Sequence, residues 1–241
     1  MLEAKTVEQI ESMDIAEFRT WLAPATREDY DAMPSDVYAA HCAKGSPTNA
    51  GNMFDEKWSF IPGQGIQFDF TPRYRLVLNE IQQVAKGLEP PVVICDVGCW
   101  QGHLILELAQ RGYQVRGVDI APPLGQGIEY RTSLLQPAHR ANMLGFTPGC
   151  AHEVLPHLPI SDIVTCQEML EHVPEALLQP TCDALLAAAE TAVIISVPWW
   201  DDGAQTHVRV WTDEMLRHHL HADKYRVKIN REGWCLATVT K

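Results

Sequence analysis

The sequence predicts an α/β protein: a doubly wound, mostly parallel seven-stranded sheet with an antiparallel C-terminal strand, preceded by a helical N-terminal segment. Three observations carry this expectation. From residue 72 onward, short apolar runs alternate with stretches of helical spacing, the pattern of a parallel sheet covered on both faces. The first such run ends in a glycine-containing turn, Asp96-Val97-Gly98-Cys99-Trp100-Gln101-Gly102, just before a helix. The chain closes on two β-rich runs, YRVKIN and GWCLATVTK, around the turn-like Arg231-Glu232-Gly233, which predicts a terminal hairpin and an antiparallel strand at the edge.

The elements follow in order. In residues 1–40 the apolar side chains Ile10, Met13, Phe18, Trp21 and Leu22 recur at helical spacing. AKGSPTNAGN (43–52) has loop composition. WSFIPGQGIQFDF (58–70), aromatic with glycine turns, is either a short hairpin or a lid. Residues 1–71 thus form an N-terminal helical or lid segment, and 72–241 the sheet domain. In that domain a helix (Tyr74 to Lys86) leads to a strand, PVVICDV (91–97). A helix (His103 to Arg111), a strand, YQVRGVDI (113–120), and a helix around Arg131 to Met143 come next. ISDIVTC (160–166) is a strand, a helix starts near Pro174, AVIISV (192–197) is a strand, and Thr212 to His221 a helix.

Composition narrows the function. Of 241 residues 46% are hydrophobic, enough for a sizeable core. A net charge of -12 repels phosphate backbones, so extended nucleic acid is a poor partner and a small-molecule acceptor a better one. The seven cysteines are scattered, odd in number and form no CxxC pair, which suits buried thiols in a reducing cytoplasm. The start, MLEAKTVEQIESMD, lacks the basic and apolar regions of a signal peptide. The most apolar stretch, Ala184 to Trp200, is broken by Glu190, Thr191 and Pro198, so no membrane span is expected.

The turn after the first strand of the domain carries the chemistry. In such sheets ligands bind beyond the carboxyl ends of the strands, and glycine lets the backbone approach them. A dinucleotide fingerprint needs further glycines where this chain has Trp100 and His103. An acid-x-Gly-x-Gly-x-Gly loop matches at Asp96, Gly98 and Gly102 and departs only at Trp100. S-adenosylmethionine suits that loop: it has no pyrophosphate to cradle, but an ammonium, a sulfonium and a ribose diol for carboxylates and carbonyls. Asp96 would orient the loop and help hold the amino-acid part, and Asp119, ending the next strand, would accept both ribose hydroxyls. The alternative is that Asp96 caps the helix and Asp119 merely ends a strand.

From Asp96 to Trp211 the chain resembles the class I S-adenosylmethionine-dependent methyltransferases, and the implied cofactor is S-adenosyl-L-methionine. GCAHEVLP (149–156) is similar to the family stretch beside the adenine, which makes Cys150, Ala151 and His152 candidates, with Cys150 in place of the usual acid. Asp162 matches an acid that is structural in the family. DIVTCQEMLEHVP (162–174) resembles the ubiquinone-biosynthesis O-methyltransferases, in which the residue matching Gln167 lies against the cofactor. That likeness also implies an upstream arginine on the cofactor carboxylate. Arg75 is the candidate, with Arg73 as the alternative.

Glu168, Glu171 and His172, spaced i, i+3, i+4, share a face if a helix has begun, and His207 lies in the loop after the next strand. Together they offer ligands for Mg²⁺ or Mn²⁺. The set, and His-x-x-x-Trp-Thr at 207–212, resemble the metal site of small-RNA 3′-terminal 2′-O-methyltransferases. The alternative is a glutamate that merely favours a helix N-terminus. His207 and His172 are also candidate catalytic bases for an oxygen nucleophile. Trp199 and Trp200 at the pocket edge either stack on a flat acceptor or pack as core or lid. Trp58, Phe60, Phe68 and Phe70 are further candidates to cover it. The expected function is O-methylation of a small molecule. RNA or nucleotide 2′-O-methylation with a divalent metal, nicotinamide-linked oxidoreduction and non-catalytic nucleotide binding are the alternatives.

Overall fold

The computed structural model describes residues 2–22, 24–26, 28–29, 32–34, 37, 40, 57–61, 65–69, 72–120, 123–199, 207–231 and 235–241. The 43–52 loop, Phe70, Trp200, the Glu232-Gly233 turn and the side chains of Trp58, Phe60 and Phe68 lie outside the described residues.

The N-terminal segment opens with helices α1 (Val7–Ser12) and α2 (Ile15–Leu22). Thr6 caps α1 in a reciprocal pair with Gln9, satisfying two donors at the helix start. Ile10, Phe18, Ala25 and Met33 close a small core there. Strands β1 (Lys57–Ile61) and β2 (Gly65–Asp69) form a separate antiparallel pair, the hairpin of the two readings left open by the sequence.

The rest is the α/β domain: α3 (Pro72–Ala85), β3 (Val93–Val97), α4 (His103–Gln110), β4 (Gln114–Asp119), α5 (Pro123–Leu134), α6 (Pro137–Arg140), β5 (Met143–Pro148), α7 (Ala151–Val154), β6 (Ser161–Gln167), α8 (Glu175–Ala188), β7 (Ala189–Val197), α9 (Asp213–His219), β8 (Arg226–Asn230) and β9 (Cys235–Thr240). The seven-stranded sheet runs β5-β4-β3-β6-β7-β9-β8. The first five are parallel, and β9 is antiparallel to both its neighbours. The antiparallel strand therefore lies inside the sheet, and β8 is the edge.

The central strands are unbroken apolar runs because both faces are covered. Ile94, Ile163 and Ile194 point into one core with α3 and α4, whereas Cys95, Val164 and Ile195 point into the other with α8. Asp162 is structural, as expected: its Oδ2 accepts the Val93 N–H at 2.7 Å and ties β6 to β3. Cys95, Cys99, Cys150, Cys166, Cys182 and Cys235 are buried and free. Among the described residues no helix is long and apolar enough to cross a membrane.

The helix expected around Arg131 to Met143 is corrected. It begins earlier and ends at Leu134; Pro137 opens a single separate turn, and Met143 starts β5. Proline lacks the N–H that a continuous helix would need there. β5 escaped notice because it is an edge strand, half exposed, with Gly145 and Pro148 in place of a β-branched run.

Sheet order reverses direction about β3, between β4 on one side and β6 on the other. The loops after β3, β4, β5 and β6 therefore gather at one carboxyl rim, where such folds bind ligands.

Candidate active site

The loop after β3 is held from β4. The Gly98 and Cys99 N–H groups both donate to the Val118 carbonyl, at 2.8 and 3.1 Å. The Trp100 N–H donates to Asp119 Oδ2 at 2.9 Å, and the Gly149 N–H to the Asp119 carbonyl at 2.9 Å. Asp119 thus joins the ends of three strands and does more than terminate one. From outside, Arg131 donates to the Gln101 carbonyl (2.8 Å) and Oε1 (2.7 Å).

Trp100, where the motif departs from glycine, adopts φ 49°, a left-handed conformation. That conformation disfavours an L-residue by about 1–2 kcal/mol, and the Trp100–Asp119 hydrogen bond offsets part of it. Gly98 has φ 73°, and a Cβ there would stand 2.7 Å from Met169 Cγ and 2.8 Å from Met169 Cβ. Gly98→Ala is expected to lower Tm by roughly 5–10 °C, from strain plus overpacking. It would also push Met169 into the cleft below and weaken cofactor binding; calorimetric melting and cofactor titration check both.

Asp96 is buried and accepts the Thr165 hydroxyl at 2.6 Å, so it faces β6. It does not cap α4, whose N-cap is Gly102 at φ 81° with no side-chain cap bond.

A cleft with about 500 Å³ of empty space, open to solvent, lies beside this loop. Gly98, Asp119, Cys150, Ala151 and His152 line it. The sequence reading missed its far wall, Met169, Val173, Leu177 and Thr181. Leu177 and Thr181, four apart, share one face of α8, and Val173 precedes that helix. Cys150 offers no anion: burial and neighbouring Glu153 push its thiol up to about 11. The fit to an adenosine is good in kind, with an apolar slot for a flat base and a carboxylate at the strand end for a diol.

Of the two candidate arginines, Arg73 is the one that meets Glu168, after β6. The two are two positions apart, with Tyr74 between them, so they point to different sides of α3; Arg73 is buried and Arg75 is exposed. Arg73 Nη1 lies 3.3 Å from Glu168 Oε2, and the Ser196 hydroxyl donates to Glu168 Oε1 at 2.8 Å. Burial raises the Glu168 carboxyl, while Arg73 and Ser196 pull it down. Gln167 is buried and donates its amide to the Ile194 carbonyl at 3.0 Å.

Glu168 also corrects the expected four-ligand set. No helix has begun there: Glu168 has φ 51°, and only a three-residue 3₁₀ turn, Leu170–His172, precedes α8. The reversal sends Glu168 to Arg73 and Glu171 with His172 elsewhere. Glu171, His172 and His207 converge, each offering a ligand atom within 4.8 Å of the others. The two imidazole centroids are 4.7 Å apart at 74°. His207 arrives there because the Val208 N–H donates to the Glu171 carbonyl at 2.9 Å. At the outer rim Trp199 is partly exposed, and its ring is covered by the Arg231 guanidinium, 5.2 Å from the centroid.

Fold and site together put an open cleft and an acid-imidazole cluster at the carboxyl rim of a doubly wound α/β sheet. A family model described as a methyltransferase domain matches residues 71–227. The chain belongs to this family, the class I S-adenosylmethionine-dependent methyltransferases. The ubiquinone biosynthesis O-methyltransferase of Vibrio cholerae is 35% identical over 116 residues, 46% of this chain and 45% of its own length. That of Actinobacillus pleuropneumoniae is 35% identical over 123 residues, 46% of this chain and 47% of its own length. The chain spans about half the length of the curated relatives it matches. Two solved structures share the fold. The methyltransferase domain of bacterial CtHen1 has a TM-score of 0.56 at 20% identity, covering 70% of this chain and 99% of that one. Magnesium protoporphyrin IX methyltransferase from Synechocystis, solved with bound S-adenosylmethionine, has a TM-score of 0.55 at 20% identity, covering 70% and 80%.

Proposed function

We propose that this protein methylates an oxygen of a small-molecule acceptor. The observation that carries the reading is the convergence of Glu171, His172 and His207 next to the cleft wall formed by Met169 and Val173. Oxygen needs a base or a lowered pKa before it attacks, and this cluster is the group able to supply either. The relatives named ubiquinone biosynthesis O-methyltransferases support the same choice. The net charge of -12 favours a small acceptor over extended nucleic acid.

The cofactor supplies a methyl group on a positively charged sulfur. Asp119 holds the ribose diol, and Gly98 and Gly102 keep the loop backbone close, with Trp100 as its left-handed pivot. Cys150, Ala151 and His152 border the adenine. Gln167 Oε1, buried and without a hydrogen-bond partner among the described residues, offers an acceptor to the cofactor ammonium. Arg73 takes the carboxylate in place of Arg75, and Asp96 fixes the loop through Thr165. On the acceptor side His207, or His172, removes the hydroxyl proton.

The same three side chains fit a divalent cation. Two imidazoles with one carboxylate suit Mn²⁺ ahead of Mg²⁺, which prefers an all-oxygen shell. Such an ion would lower the acceptor's pKa, with His172 and His207 then acting as ligands.

The test is cofactor turnover with a panel of catechols, phenols, alcohols, amines and a 3′-terminal ribonucleotide, with mass spectrometry to locate the methyl group. Transfer to oxygen of a phenol, catechol or alcohol is expected. Transfer only to nitrogen, or only to the ribonucleotide, contradicts the reading. Excess chelator separates the two roles: a bound metal predicts a fall in turnover of at least about 10-fold, restored by Mn²⁺, whereas unchanged turnover removes the metal and leaves His207 or His172 as the base.

A further inference from the structure

The segment that returns to the site after β7, His207-Val208-Arg209-Val210-Trp211, has no regular secondary structure, and its side chains go to different places. His207 is buried against His172. Val208 packs on the N-terminal cluster of Ile10, Phe18, Ala25 and Met33. Trp211 is buried in the core with α9 residue Leu216. Arg209 turns to the segment that carries the other two members of the cluster. Its Nη1 donates to the Leu170 carbonyl at 2.9 Å and also to the Val173 carbonyl, and its Nη2 lies 3.3 Å from Glu175. The Arg209 side chain is only 7% exposed whereas Glu175 is 67% exposed, so the two carbonyls and not the ion pair carry the contact.

We propose that Arg209 is a positioning residue of the active site: it clasps the turn bearing Glu171 and His172 from both sides and holds it opposite His207. The proposal rests on the reading of these three side chains as the acceptor-side group. The turn needs such a clasp because it is short. Within it, His172 N–H reaches the Met169 carbonyl at 3.0 Å and Val173 N–H the Leu170 carbonyl at 3.3 Å, little to fix a loop between a strand and a helix. Arg209 bridges the carbonyls on either side of Glu171-His172, while the Val208 N–H takes the carbonyl between them. The two chain segments are thereby joined at three carbonyls, those of Leu170, Glu171 and Val173. Hydrogen bonds from a charged donor are the strong kind, and a planar guanidinium spreads its donors over separate nitrogens, so Nη1 serves the two carbonyls while Nη2 reaches toward Glu175. Displacement of a catalytic group by about 1 Å lowers turnover by up to about 100-fold.

The test compares wild type with Arg209→Gln and Arg209→Lys by three measurements. Melting and titration with S-adenosylhomocysteine report folding and the cofactor cleft. The nuclear Overhauser effect between the His172 and His207 ring protons, in histidine-labelled protein, reports the cluster without needing any acceptor. Turnover with the best acceptor of the panel separates kcat from KM. Arg209→Gln is expected to keep cofactor affinity within about threefold, to lose the ring–ring signal, and to lose kcat by about 10- to 100-fold with cofactor KM unchanged. Arg209→Lys is expected to recover part of both. If Arg209→Gln fails to fold, the lysine variant carries the same comparison, because it keeps charge and stem. A full ring–ring signal and wild-type kcat in a folded variant overturn the proposal. If the signal behaves as expected but the methyl goes to no oxygen acceptor, the clasp stands and the functional reading fails.

Discussion

Asp119→Ala is expected to weaken binding of S-adenosylhomocysteine by about 100-fold, the worth of a charged acceptor lost to two ribose hydroxyls. The carboxylate does double duty. It lines the cleft, and its Oδ2 already receives the Trp100 N–H at 2.9 Å. Its loss also releases the only residue of the loop that holds a left-handed conformation without being glycine. Asp119→Asn keeps a carbonyl oxygen for Trp100 but no charge, so it is expected to fall between wild type and Asp119→Ala. Isothermal titration of both variants checks the order; an Asp119→Ala affinity within threefold of wild type contradicts the assigned role.

His207→Ala is expected to lower kcat by about 10²–10⁴-fold, the range of a lost general base, with cofactor affinity preserved. The separation follows from position. His207 stands against His172 and does not line the cleft, and the bond that holds its segment to Glu171 comes from the Val208 backbone, which the substitution leaves in place. Steady-state kinetics at saturating cofactor, beside a titration of the free protein, make the comparison. Near-normal turnover at neutral pH removes His207 from the chemistry.

Much of the fold is legible in the residues because the central strands are buried on both faces, and a sheet of that kind leaves unbroken apolar runs. β5 is not, since an edge strand needs no such run and this one contains a glycine and a proline. The cleft beside the β3 loop is legible for a chemical reason: a glycine stands where a Cβ would collide with Met169, and an acid ends the neighbouring strand at the cleft. The acceptor end is harder to read. Helical spacing groups Glu168 with Glu171 and His172, but a positive φ at a glutamate leaves no mark in sequence, and one such residue sends the side chain to Arg73. The choice between Arg73 and Arg75 depends on where α3 presents each side to the sheet, which no local pattern states. The separate destinations of His207, Arg209 and Trp211 follow from a segment without regular secondary structure, in which no periodicity announces them.

The central claim is that the carboxyl rim of β3 and β4 grips the adenosine of the methyl donor through Asp119. A crystal structure of the protein grown with S-adenosylhomocysteine tests it most directly. The expected density puts the adenine between Cys150 and the α8 wall, with both ribose hydroxyls within hydrogen-bond distance of Asp119. Density for that nucleoside elsewhere, or none under saturating ligand, contradicts the account.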